Sequence, residues 1–127
     1  MFVNHLDLSA NFYCELLGMD VTVLADSAAL LVGADSFQLY LRSMGPHAQH
    51  AVGNIGVQYV IWTAVDEADL RRCEHFLKDR SAHVRTETSD GFTFVEGRDP
   101  SGAPVMMSFP GPDQTARHHI LSRIYTW

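Results

Sequence analysis

From residue 57 onward the chain repeats an order of elements it has already used once. A repeat of that kind limits the fold more than any single motif. In the first pass, residues 1–3 form only the stub of a strand. Asp7 or Ser9 can cap a helix running to Leu17, with Leu8, Phe12 and Leu16 on one face and Tyr13 and Leu17 beside them. Gly18 is a natural stop. Three alternating stretches follow, at residues 20–24, 28–32 and 36–41, and each reads as a strand. In the second pass, residues 57–65 are rich in β-branched and aromatic side chains. Asp66 and Asp69 open a helix on which Leu70, Cys73 and Leu77 share a face, with Phe76 adjacent. Strands are expected at residues 82–86, 92–96 and 103–109, with a hairpin turn at Ser89-Asp90-Gly91. Residues 43–55 carry Gly, Pro and Asn without a period and read as the linker. The plan is βαβββ, linker, βαβββ.

The last two strands are hinged by Arg98-Asp99-Pro100-Ser101-Gly102. Asp99 can turn its carboxylate onto the backbone, Pro100 presets one dihedral, and Gly102 accepts a positive φ. At 127 residues, 46% hydrophobic and 19% charged, the chain is expected to build one globular domain with a real core. Its net charge of −6 argues against nucleic acid, whose phosphates call for a basic face. There is no apolar run of about 18 residues, so no membrane span is expected. The start lacks the basic and apolar regions of a signal peptide. With Cys14 and Cys73 both on expected helices and read as reduced, the chain reads as cytoplasmic.

Ser9-x-x-Phe12-Tyr13-x-x-x-Leu17-Gly18-Met19, Ala64-Val65-Asp66 ahead of a helix, Phe92-x-Phe94 and Asp99-Pro100-Ser101-Gly102 together resemble the vicinal oxygen chelate superfamily. That group holds glyoxalase I, bleomycin-resistance proteins, fosfomycin-resistance enzymes and extradiol dioxygenases. The resemblance covers roughly residues 3–109. It implies an α+β fold of two βαβββ modules, about 1–42 and 56–109, forming a curled mixed-sheet cup in a single domain. Residues 110–127 are left as a tail, with helical character from Gln114 to Tyr125. Such a fold hosts several chemistries and pure binding.

The family's enzymes hold a divalent metal with His and Glu from four strands. Carried over by position, the first ligand falls upstream of Met1. The second falls on Gln38, the third on Tyr59 (Gln58 if the count is off by one), and the fourth on Met106. An amide carbonyl, a phenol of pKa near 10 and a thioether make a poor divalent site. The expectation is therefore no metal and no cofactor. His47-x-x-His50 lacks a second ligand pair at zinc-motif spacing. His118 and His119 would diverge by about 100° on a helix. His5 reads as a helix-entry residue. Glu96 reads as a strand-edge charge facing out; facing in, it would be a general base or a cation partner.

The same positions suit a small-molecule pocket. Gln38, Tyr40, Tyr59, Trp62, Phe94 and Met106 offer flat apolar surface with a few hydrogen-bonding tips. Strand alternation separates Tyr59 from Trp62, which also reads as core. The expected function is binding of a small aromatic or cationic molecule without a metal, as in bleomycin resistance. The alternative is a lyase, isomerase or dioxygenase-like enzyme with an altered metal site. The expected partners are that ligand and a second copy of the chain.

Overall fold

The computed structural model describes residues 1–49, 55, 57 and 59–115. Ten elements follow in chain order: β1 (Phe2–Val3), α1 (Leu6–Leu17), β2 (Asp20–Ala25), β3 (Ala28–Val32), β4 (Gln38–Ser43), β5 (Val60–Thr63), α2 (Glu67–Asp79), β6 (His83–Ser89), β7 (Phe92–Arg98) and β8 (Pro104–Phe109). The architecture is α+β, two βαβββ modules with one four-stranded mixed sheet each. The sheets have the same open order, β1-β4-β3-β2 and β5-β8-β7-β6. In each, the first strand runs parallel to the last, and the remaining neighbours are antiparallel. The strands expected around residues 57 and 103 thus lie side by side in one sheet. Most of the expected tail helix, and residues 50–54 of the linker with His50, lie outside the described residues, as do Gln58, His118 and His119.

By contacts the chain divides into two compact units. The first takes in module one together with the turn Asp99–Gly102, and the second takes in the rest. In the first unit, α1 begins at Leu6, earlier than Asp7 or Ser9 would place it. His5 stands at its N-cap without a side-chain cap bond, and Gly18 ends it in the left-handed region (φ 62°). The buried face is Leu6, Ser9, Ala10, Phe12, Tyr13 and Leu16. Leu8 lies outside it and is exposed. At 100° per residue it stands about 200° from Leu6, at the far edge of the arc the others share. The Tyr13 hydroxyl donates to Asp99 Oδ2 at 2.9 Å, and Asp99 Oδ1 accepts the Ser101 amide at 2.8 Å. Ser101 Oγ accepts the Asn4 amide at 3.0 Å. One buried carboxylate therefore closes its own turn and anchors that turn to α1. Burial first, and then Asp99, push the Tyr13 phenol far above its ordinary 10, so it stays a donor.

In the second unit α2 is capped reciprocally. Asp66 Oδ1 accepts the Asp69 amide at 2.8 Å, and Asp69 Oδ2 accepts the Val65 amide at 3.3 Å. Leu70, Cys73 and Leu77 are the buried face, as their spacing predicts. The β6–β7 hairpin turns through Asp90 (φ 51°) and Gly91 (φ 81°). Two successive positive φ values match the right-handed twist of the flanking strands and explain the Asp-Gly pair. Both cysteines are free thiols, and burial pushes Cys73 up to about 11.

Candidate ligand-binding face

Pairing in the second sheet lines up one residue from each strand. Arg85 on β6 stands opposite Glu96 on β7, Glu96 opposite Met106 on β8, and Met106 opposite Ile61 on β5. Residues paired across a sheet point to the same face, and so do residues two apart along a strand. Phe92 and Phe94 therefore join Glu96. Phe92, Phe94 and Met106 form a buried cluster, with Tyr59 and Ile61 packed against it. The two phenyl rings are 6.1 Å apart at a tilt of 33°. Apolar side chains thus floor the middle of this face.

Its polar groups stand on the same strands. Glu96, only 5% exposed, accepts a hydrogen bond from Arg85 Nε at 3.1 Å. The sequence-based expectation had it facing out. Counting in twos from Phe92 and Phe94 turns it inward, and the guanidinium compensates its burial. The Arg85 guanidinium carbon lies 5.8 Å from the Phe94 ring centroid. Tyr59 is half-buried. Burial and then Glu96 raise its phenol above the ordinary 10, against an opposing pull from Arg85 and Arg98. Its hydroxyl remains protonated, and a phenol of that kind can donate or accept a hydrogen bond.

Of the six residues expected to line a pocket, Tyr59, Phe94 and Met106 meet here. Trp62 lies on the other face, opposite Met107, with Val95 and Gly97. There a Cβ on Gly97 would sit 2.8 Å from Leu77 Cδ2 and 2.9 Å from the Ala82 carbonyl oxygen, so this is the side that α2 covers. Gln38 and Tyr40 belong to β4 in the first unit, share a face there and are exposed. Phe92, already marked in the sequence by Phe92-x-Phe94, completes the face together with Arg85 and Ile61, which had not stood out there.

The metal positions can be tested against these surroundings. Met106 is 1% exposed, with its thioether packed among phenyl rings. Tyr59 keeps its proton, and Gln38 offers a neutral amide. Hard or borderline divalent ions take carboxylate or imidazole instead. Among the described residues no three His, Cys, Asp or Glu side chains converge. The residues present do not fit the family's ion. His5 and His47 are exposed, and the His83 ring is held by the Thr86 hydroxyl at 2.9 Å. Among the described residues no helix is long and apolar enough to cross a membrane.

The family model described as "Glyoxalase/Bleomycin resistance protein/Dioxygenase superfamily" matches residues 1–107. No curated protein matches the chain. Among solved structures, it resembles a glyoxylase/bleomycin resistance protein/dioxygenase domain from Frankia sp. EAN1pec, at 19% identity and a TM-score of 0.74. That match covers 87% of this chain and 92% of the other. It also resembles a lactoylglutathione lyase from Agrobacterium tumefaciens (16% identity, TM-score 0.65, 85% and 87% covered). A third is the fosfomycin resistance protein FosX from Mesorhizobium loti (9% identity, TM-score 0.68, 89% of each chain covered). At such identities the likeness is one of fold.

Proposed function

Taking as premise that the chain belongs to the glyoxalase/bleomycin resistance protein/dioxygenase superfamily, we propose that it binds a small aromatic molecule on the module-two sheet without a metal. The observation that carries this reading is Met106. At the position where the resemblance calls for a metal-binding carboxylate, the chain has a thioether packed against Phe92 and Phe94. That cluster is itself buried, so a flat ligand would rest on the half-buried Tyr59 and Ile61 packed against it, with the methionine behind them adapting to its outline. At about 25 cal/mol per Å², a ligand burying roughly 200–300 Å² of apolar area gains about 5–8 kcal/mol before the cost of association. Tyr59 also supplies a hydrogen-bonding tip.

A second reading, an enzyme with an altered site, draws on Glu96. It is a buried carboxylate on the strand next to Met106 and on the same face. Solved structures of this fold include a lactoylglutathione lyase, so thiol adducts belong in the trial panel. The test is calorimetric titration with aromatic antibiotics, thiol adducts and catechols, with and without a chelator, alongside product analysis. Binding unchanged by the chelator and without turnover is the expected result. Turnover that the chelator abolishes would replace the binding reading with the enzymatic one.

A further inference from the structure

The open face of the first sheet carries two charges that have no partner of their own. On β3, Ala29 and Leu31 are buried on the side of α1, and Ala28, Leu30 and Val32 alternate with them toward the open side. Across the β3–β4 ladder, Arg42 stands opposite Ala28, Tyr40 opposite Leu30 and Gln38 opposite Val32. Across the β2–β3 ladder, Val23 stands opposite Leu30 and Asp20 opposite Val32. All of these therefore share the open face. Asp20 and Arg42 are exposed, and among the described residues neither side chain makes an ion pair or a hydrogen bond. They occupy opposite corners, two strands and four residues apart, which at ordinary sheet spacings is roughly 17 Å. That is about twice the screening length at physiological salt, so they do little for one another within one chain. Midway between them stands Leu30, with Val23 and Tyr40 on either side of it.

An apolar row with an acid and a base placed symmetrically about its centre is complementary to itself. We propose that a second copy of the chain docks on this face about a two-fold axis that passes over Leu30, perpendicular to the line from Arg42 to Asp20. Each Arg42 then meets Asp20 of the partner subunit, and the two ion pairs flank an apolar centre of Val23, Leu30 and Tyr40. The strands of the two sheets cross steeply, in the orthogonal manner of sheet packing. The charges select this axis. A two-fold along the strands would set Arg42 on the partner's Ala25 and Asp20 on the partner's Gln38. One across the strands would set Arg42 on the partner's Gln38 and Asp20 on the partner's Ala25. Either would cover both charges and pair neither, which is costly. Arg42 and Asp20 thus fix the orientation of a contact whose area is apolar.

The test is charge reversal on the full chain, read by sedimentation at micromolar concentration. Arg42→Asp sets an acid against the partner's Asp20 at both ends, and Asp20→Arg sets a base against the partner's Arg42. Each variant alone is expected to dissociate at least about tenfold more readily than the natural chain. Mixed in equal amounts, the two variants set every reversed charge against an opposite one. The mixture is expected to recover the natural affinity to within a few-fold, as heterodimers. Single variants that dimerise like the natural chain, or a mixture that stays monomeric, overturn the pairing. A natural chain that is monomeric throughout overturns the dimer with it. Should either variant not fold, Leu30→Cys decides. Because Leu30 lies on the axis, two copies of the new cysteine are expected to join in a disulfide under mild oxidation, identified by mass spectrometry of the linked peptides. Absence of that link refutes the arrangement.

Discussion

Glu74 shows how one side chain ties a helix to a strand. Its Oε1 accepts from Lys78 Nζ at 2.7 Å within α2 and from the Thr86 hydroxyl at 2.7 Å on β6. Those two bonds, Lys78 first, hold its carboxyl below the ordinary 4.5. A carboxyl lowered by folding stabilises above its unfolded value, and the contribution is lost as pH falls through the lowered folded value. Partial exposure limits it to about 1 kcal/mol or less. Glu74→Gln should therefore lower stability slightly at neutral pH, and the gap to the natural chain should close in strong acid. Urea unfolding at several pH values measures this, and a gap that widens on acidification would contradict it. Glu96 teaches a different lesson about single residues. Its inward direction was legible, because it stands an even count from Phe92 and Phe94. A composition-based prior that carboxylates face water hid what the alternation states. Arg85, its partner, was not legible in the same way. Between His83 and Arg85 the register of β6 shifts, so residues two apart there point to opposite faces.

The same irregularity recurs at the scale of elements. In β2, Val21 stands opposite Leu31 and Val23 opposite Leu30, one extra residue just after the strand begins. In β6, His83 stands opposite Gly97 and Arg85 opposite Glu96, again with one extra residue. Each module thus bulges the strand that follows its helix. The order of elements, both sheets' membership and the two turns were readable from hydrophobic period and turn chemistry, which depend on near neighbours in sequence. Face assignments beyond a bulge depend on partner strands many residues away, which a local pattern does not carry. Gly97 is a further case. The sequence gives no sign that its missing side chain is what admits α2. Gly97→Ala should cost about 1–3 kcal/mol, because the new methyl meets the Leu77 methyls and the Ala82 carbonyl inside 3.0 Å, and a backbone oxygen cannot swing away. A shifted denaturation midpoint is expected. An unchanged one would mean that the contact between helix and sheet yields more easily than close packing allows.

At the scale of the whole molecule, the first sheet leaves apolar side chains in water. Val23, Leu30 and Tyr40 stand in register across β2, β3 and β4, and so point to one face. Val23 is 56% exposed and Tyr40 62%. On the edge strand β1, Phe2 pairs with Arg42, two residues along from Tyr40, and is 70% exposed. Single exposed apolar residues are ordinary, but a row of them on one sheet face is the kind of surface that association covers. A symmetric pair can bury the same row on both partners, which makes a second copy of the chain the simplest occupant. We propose a homodimer that covers this face and buries more than about 1,000 Å² in total. Tyr40→Glu would then set a carboxylate in each half of the interface and shift the equilibrium to monomer, while leaving the fold's far-ultraviolet spectrum unchanged. Light scattering at micromolar concentration should give twice the 14.2 kDa chain mass for the natural protein and the single mass for the variant. A natural chain that scatters as a monomer throughout that range would rule out the dimer. A dimer unaffected by Tyr40→Glu would move the interface to another face.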